Sequence, residues 1–217
     1  MERKSLPLGI QNFEEFKEKN LVYVDKTRLI YHLVDTPKGL YFLSRPRRFG
    51  KTLLLSTLAC LFQGKKELFE GLWIHENSDW DWKPHPVVSI DFNRMNHKNS
   101  DALENSIQET LNNIIEQNRL KISSTSIPMK FGDIIVALKK KADTPVVVLI
   151  DEYDKPIISH LGKGEEEQII AGKNRDVLKQ LFGTLQAYDG AGALGFIFLT
   201  GVSKFARVSV FSDLNNL

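Results

Sequence analysis

Apolar residues fall along this chain in short unbroken runs, and between the runs lie longer stretches with helical spacing. The runs are LYFLS (Leu40–Ser44), PVVSIDF (Pro86–Phe92), PVVVLID (Pro145–Asp151) and FIFLT (Phe196–Thr200). Each is too short for a stable helix and rich in β-branched or aromatic side chains, which predicts four strands. Their apolar positions are nearly continuous rather than alternating, so both faces are predicted to be buried, as in a parallel sheet.

The helical patterns separate the strands. A short helix is expected over Asn12–Lys19, then the extended stretch LVYVDKT, then a helix through RLIYHLV that Asp25 can cap. Pro37, Lys38 and Gly39 form a predicted turn. An apolar helix runs from Lys51 to Phe62, with Gly64 as its stop. Leu103, Ile107, Leu111, Ile114 and Ile115 mark a helix over Asp101–Leu120, with Asp101 and Glu104 matching a D-x-x-E start. Two more helices are expected over Phe131–Lys141 and Glu165–Ala187, the second with a potential break at Gly172. The Trp-rich segment 65–85 reads as an irregular connection, and DGAGALG as the turn before the fourth strand. Strands alternating with helices predict an α/β chain of three layers around a mainly parallel sheet. The division expected is a helical and extended segment over 1–39, packing on a core over 40–217.

Composition changes this picture little. Lys plus Arg number 29 and Asp plus Glu 27, a formal charge of +2, which gives no general field for gripping nucleic acid. No apolar run approaches the ~20 residues of a membrane helix, and no secretory signal follows MERKSLPLG. Cys60, the one cysteine, reads as a small buried hydrophobe, and the five histidines lack ligand spacing. These features fit a reducing cytoplasm. Trp73, Trp80 and Trp82 could stack on bases, but without a basic stripe around them packing is the better account. The charge runs GKGEEEQ and LKKKAD are expected on solvated helix ends.

The chemistry lies at strand ends. Between the first strand and the Lys51 helix stands Arg45-Pro46-Arg47-Arg48-Phe49-Gly50-Lys51-Thr52. It matches G-x-x-x-x-G-K-[ST] except at the first glycine, which is Arg45. Backbone N–H groups of such a loop face phosphate, helped by the helix dipole. Gly50 permits close approach, Lys51 reaches the β- and γ-phosphates, and the Thr52 hydroxyl suits Mg²⁺. Arg47, Arg48 and Phe49 would contribute to the same cradle. A solvated basic loop capping an ordinary helix is the plain alternative. VVVLIDE (Val146–Glu152) then ends a strand in two carboxylates, as a Walker B element does: Asp151 placed for Mg²⁺, Glu152 for polarising water. An acidic turn explains this motif alone, but not both motifs at the C-terminal ends of parallel strands, where open α/β sheets bind ligands. Thr200 is the third element, either sensing the γ-phosphate or capping its loop, with Ser203 beside it. The arginines at 45, 47 and 48 could contact phosphate, a neighbouring subunit or solvent alone, and nothing orients Arg207 as an arginine finger.

With these residues in view, the chain resembles the AAA-ATPase-like family of prokaryotic proteins. The likeness runs from LPLGIQNFEEF and LVYVDKT through FLSRPRRFGKTLLLSTL and VVVLIDEYDKP to FLTGVSKFARVSVFSDLNNL. The RPRRFGKT form belongs to that family's pattern. The resemblance implies a P-loop NTPase fold of AAA/ASCE type, with ATP and Mg²⁺ as cofactors. It implies phosphate and magnesium contacts by Lys51 and Thr52, magnesium by Asp151 and water activation by Glu152, and it sets VDKT (Val24–Thr27) near the nucleotide. It further implies a lid and often a PD-(D/E)XK nuclease-like domain beyond Leu217, so the core is expected to be truncated before them. The expected function is an ATPase module that drives or gates an attached effector. The alternative is a nucleotide-dependent switch or assembly module with little hydrolysis, which a homo-oligomer would suit. A nucleic-acid-directed enzyme is a third reading, disfavoured by the charge.

Overall fold

The structure is a computed structural model and describes residues 5–35, 39–190 and 192–203. Its elements follow in the order α1 (Phe13–Glu18), α2 (Thr27–Val34), β1 (Gly39–Ser44), α3 (Lys51–Phe62), α4 (Trp73–Asn77) and β2 (Val87–Asp91). Then come α5 (Ser100–Gln117), α6 (Ile127–Ala142), β3 (Val146–Asp151), α7 (Lys155–Ile158), α8 (Glu165–Gly190) and β4 (Leu194–Gly201). The predicted turn residues Pro37 and Lys38 and the arginine Arg207 lie outside the described residues.

All described strand pairs are parallel, in the order β1-β4-β3-β2. The strand leading into the RPRRFGKT loop and the strand ending in Asp151 are therefore two places apart, with β4 between them. Side-chain alternation sends Val147, Leu149, Phe196 and Phe198 to one face and Val148, Ile150, Ile197 and Leu199 to the other. The first face carries α3 with α1, α2 and α4; the second carries α5, α6 and α8. This is the three-layer P-loop NTPase architecture. At Gly195 the β3–β4 register slips, which turns Leu194 and Phe196 to opposite faces. A Cβ there would come within 2.9 Å of Pro145, so glycine lets the bulge close.

Helix ends follow local chemistry. Asn12 caps α1 by accepting from the Glu14 N–H at 3.0 Å. Past Phe62, Lys65 N–H donates to Cys60 O and Gly64 N–H to Leu61 O, both at 3.1 Å. With Gly64 at φ 72°, this is a Schellman stop. Cys60 is buried as expected, and burial pushes its thiol up to about 12.

Four boundaries depart from the sequence reading. Helix α5 starts at Ser100, because Asn99 rather than Asp101 accepts the Ala102 N–H, at 2.9 Å. Helix α6 begins a turn early, since Pro128 is tolerated where no helical donor is needed. Helix α8 runs unbroken through Gly172 to Gly190, taking in part of the expected turn. Segment 65–85 holds the 3₁₀ turn Lys66–Phe69 and α4 before it becomes extended. Its tryptophans pack as expected: Trp80 lies 5.7 Å from Phe62 and Trp82 5.2 Å from Phe69, ring centre to ring centre. Among the described residues, no helix is long and apolar enough to cross a membrane.

Candidate nucleotide site

The loop between β1 and α3 shows why Arg45 can stand where the motif has glycine. Arg45 N–H donates to Gly201 O at 3.2 Å, which extends the β1–β4 ladder by one residue, and its φ is not positive. The left-handed positions fall later, at Arg48 (φ 66°) and Gly50 (φ 76°). Gly50 is also the N-cap of α3, and no side chain caps that end. The first N–H groups of the helix are thus free of a side-chain cap where Gly50, Lys51 and Thr52 line a cavity, an arrangement suited to an anion.

Lys51 opens α3 and is 4% exposed. Its ammonium donates to the carbonyls of Arg45 at 3.0 Å and Pro46 at 3.2 Å, and pairs with Glu152 Oε1 at 3.0 Å. A buried charge requires such partners. One residue on, Thr52 Oγ1 donates to Asp151 Oδ2 at 2.6 Å. The other Asp151 oxygen accepts from the Thr200 hydroxyl, and that hydroxyl accepts in turn from the Glu152 N–H at 3.3 Å. Residues from β1's loop, the end of β3 and the end of β4 therefore form one connected network. Glu152 sits at φ 51°, a conformation that costs a non-glycine residue roughly 1–3 kcal/mol and that clusters at functional sites.

A cavity of about 640 Å³ opens over these groups, with Arg47, Arg48, Gly50, Lys51, Thr52 and Glu152 among its lining residues. Phe49 is not among them; the residue is 65% exposed. Ser203 serves the loop after β4: its N–H donates to Asp154 Oδ2 at 2.5 Å and its carbonyl accepts from Tyr153 at 3.0 Å. Asp154, fully buried with Oδ1 unpartnered, is pushed above the ordinary carboxylate range by that burial.

The VDKT segment is elsewhere. Asp25 accepts from Trp73 N–H at 2.7 Å, and Thr27 Oγ1 from Ile74 N–H at 3.0 Å, so the two residues cap α4. The N-terminal residues at the cavity are Gly9, Ile10 and Gln11. Asn93 and Lys155 line it as well, and the sequence reading passed over both. Asn93 had a usable signal, since it follows β2 at the same sheet edge as Asp151; Asp91 and Asp151 are register partners.

The chain is also similar to known proteins. It is 43% identical, over 221 residues, to an uncharacterised protein from the region 5′ of vnfD in Azotobacter chroococcum mcd 1. That match takes in 100% of this chain but 41% of the relative, so the chain spans about two fifths of the relative's length. A family model described as predicted AAA-ATPase matches residues 7–211. With nearly all of its length inside that match, this chain belongs to the AAA-ATPase-like family, as a nucleotide-binding, ATPase-like module.

Proposed function

We propose that the chain is a Mg²⁺-dependent module that binds and hydrolyses ATP and whose turnover drives or gates an attached effector. The observation that carries this reading is the network joining Lys51, Thr52, Asp151, Glu152 and Thr200, of which Lys51, Thr52 and Glu152 line one cavity. Lys51 and the N–H groups at the start of α3, with Arg47, Arg48, Phe49 and Gly50, hold the β- and γ-phosphates. Glu152 accepts a proton from the water that attacks the γ-phosphorus, and the bond to the β–γ bridging oxygen breaks to release ADP. Thr200 keeps Asp151 and the Glu152 backbone in fixed relation.

The donor set fits magnesium. Thr52 and Asp151 supply a hydroxyl and a carboxylate, hard oxygen ligands of the kind Mg²⁺ takes alongside phosphate. Among the described residues no group of three or more His, Cys, Asp or Glu gathers as a dedicated metal cage. Bound there, the ion would neutralise charge on the phosphates.

In this reading residues 1–39 form a segment packing on the ATPase core at 40–217, the protein works in the cytoplasm, and the effector lies beyond Leu217. A homo-oligomer is compatible with it. A net charge of +2 lends nucleic acid no support as a partner. One observation favours the alternative of a switch or assembly module with little hydrolysis. Lys51 and Glu152 hold each other, so turnover requires the phosphates to separate them first.

The test is calorimetry of Mg–ATP binding, with Lys51→Ala as control and phosphate release followed in parallel. Binding that Lys51→Ala abolishes, with release above background, is the expected result. Binding without release selects the switch, and a folded chain that binds no nucleotide overturns both.

A further inference from the structure

Lys155 follows Glu152 by one turn, and its backbone N–H donates to Glu152 O at 3.0 Å. The turn is anchored from behind. Pro156 and Ile157 are buried, and the fully buried Asn174 donates from Nδ2 to Pro156 O at 2.9 Å. From this fixed stem the Lys155 ammonium reaches Asn93 Oδ1 at 2.6 Å. Both side chains line the cavity that holds Lys51 and Glu152.

The two cavity lysines differ electrostatically. Lys51 is ion-paired with Glu152, whereas among the described residues no carboxylate lies within ion-pairing distance of Lys155. Its partner is a neutral amide, which orients the ammonium without neutralising its charge. Lys155 enters the cavity from the turn after β3 that also carries Glu152, whereas Lys51 enters it from the start of α3. An anion long enough to span the cavity from the start of α3 past Glu152 would meet Lys155.

We propose, on the nucleotide reading above, that Lys155 is a γ-phosphate-binding cation supplied by the chain itself, with Asn93 as its positioning residue. Lys155 discriminates ATP from ADP, because ADP ends before reaching it.

The experiment measures Mg–ATP and Mg–ADP affinity in the Glu152→Gln background, where hydrolysis does not blur binding. Adding Lys155→Met is expected to weaken Mg–ATP on the order of 10-fold to 100-fold, the worth of a hydrogen bond to a charged group. Mg–ADP affinity stays within about two-fold. Lys155→Arg restores most of the preference, and Asn93→Ala lowers it in the same direction by less. Loss of both affinities in parallel, or of neither, overturns the inference, with thermal melting confirming that each variant is folded. Absence of all nucleotide binding in the unsubstituted chain overturns instead the reading on which it rests.

Discussion

The Lys51 ammonium and the Glu152 carboxylate lie 3.0 Å apart, in a place where their side chains are 3% and 12% exposed. One group is suited to phosphate and the other to water, and each neutralises the other. On the function proposed above, a γ-phosphate entering the cavity would compete with Glu152 for Lys51, and a won competition would release Glu152 toward water. Binding and activation would then be linked through one ion pair.

Glu152→Gln removes the competitor's charge while keeping its shape. Mg–ATP affinity should hold or rise, and phosphate release should fall on the order of 10²-fold or more, as for loss of a positioned base. Lys51→Ala should abolish binding and also leave a mostly buried carboxylate unpaired, lowering the melting temperature. Calorimetry and a melting scan check both; ATP binding lost in Glu152→Gln would contradict the linkage.

Thr200 is 0% exposed, and its hydroxyl is both donor to Asp151 and acceptor from Glu152 N–H. Thr200→Val keeps the volume and leaves the buried N–H and a carboxylate oxygen short of a partner, a loss of about 1–3 kcal/mol in unfolding free energy. Turnover should fall with it, since Glu152 loses its backbone anchor. Thr200→Ser should recover both, and chemical denaturation alongside phosphate release would reveal a hydroxyl that does neither.

Gly50 separates backbone strain from ligand approach. Its φ is 76°, and an added Cβ would meet nothing within 4 Å. Gly50→Ala should therefore lose only the left-handed penalty of roughly 1–2 kcal/mol in stability. Nucleotide affinity should drop much further, because the new methyl stands where phosphate must come close to backbone. Equal, small effects on folding and on binding would move the phosphate away from this turn.

The sheet was legible because its strands are short apolar runs, a signal that burial on both faces enforces. The placing of Lys51, Thr52 and Asp151 at one edge of the sheet followed from strand direction alone. Local capping was less legible: Asp101 and Asn99 are both competent N-caps, and which one takes the role depends on where the chain turns out of Lys98. Gly172 did not break α8, since Ala171, Val177 and Leu178 bury the helix on either side and packing outweighs a propensity loss of about 1 kcal/mol. The contact between Asn93 and Lys155 escaped because it joins residues 62 positions apart on different strands' exits, which no spacing encodes.

The VDKT segment yields the last prediction, and it concerns folding rather than nucleotide. Burial pushes the Asp25 carboxyl up, but the Trp73 N–H and the Thr27 hydroxyl and N–H outweigh it, holding Asp25 below its ordinary 3.8. A carboxylate depressed in the folded chain binds its proton more weakly there than in the unfolded chain. Its contribution is thus fully present above the unfolded value and is lost as pH falls through the folded one. Asp25→Asn should be less stable than the parent chain at neutral pH, and the gap should close as pH drops below about 4. It should leave Mg–ATP affinity unchanged, because Asp25 ties α2 to α4 through Thr27 and Trp73 rather than facing the cavity. Denaturation at a series of pH values tests the first expectation and calorimetry the second. A stability gap that persists undiminished into acid would show that the amide fails for steric reasons and not for want of charge.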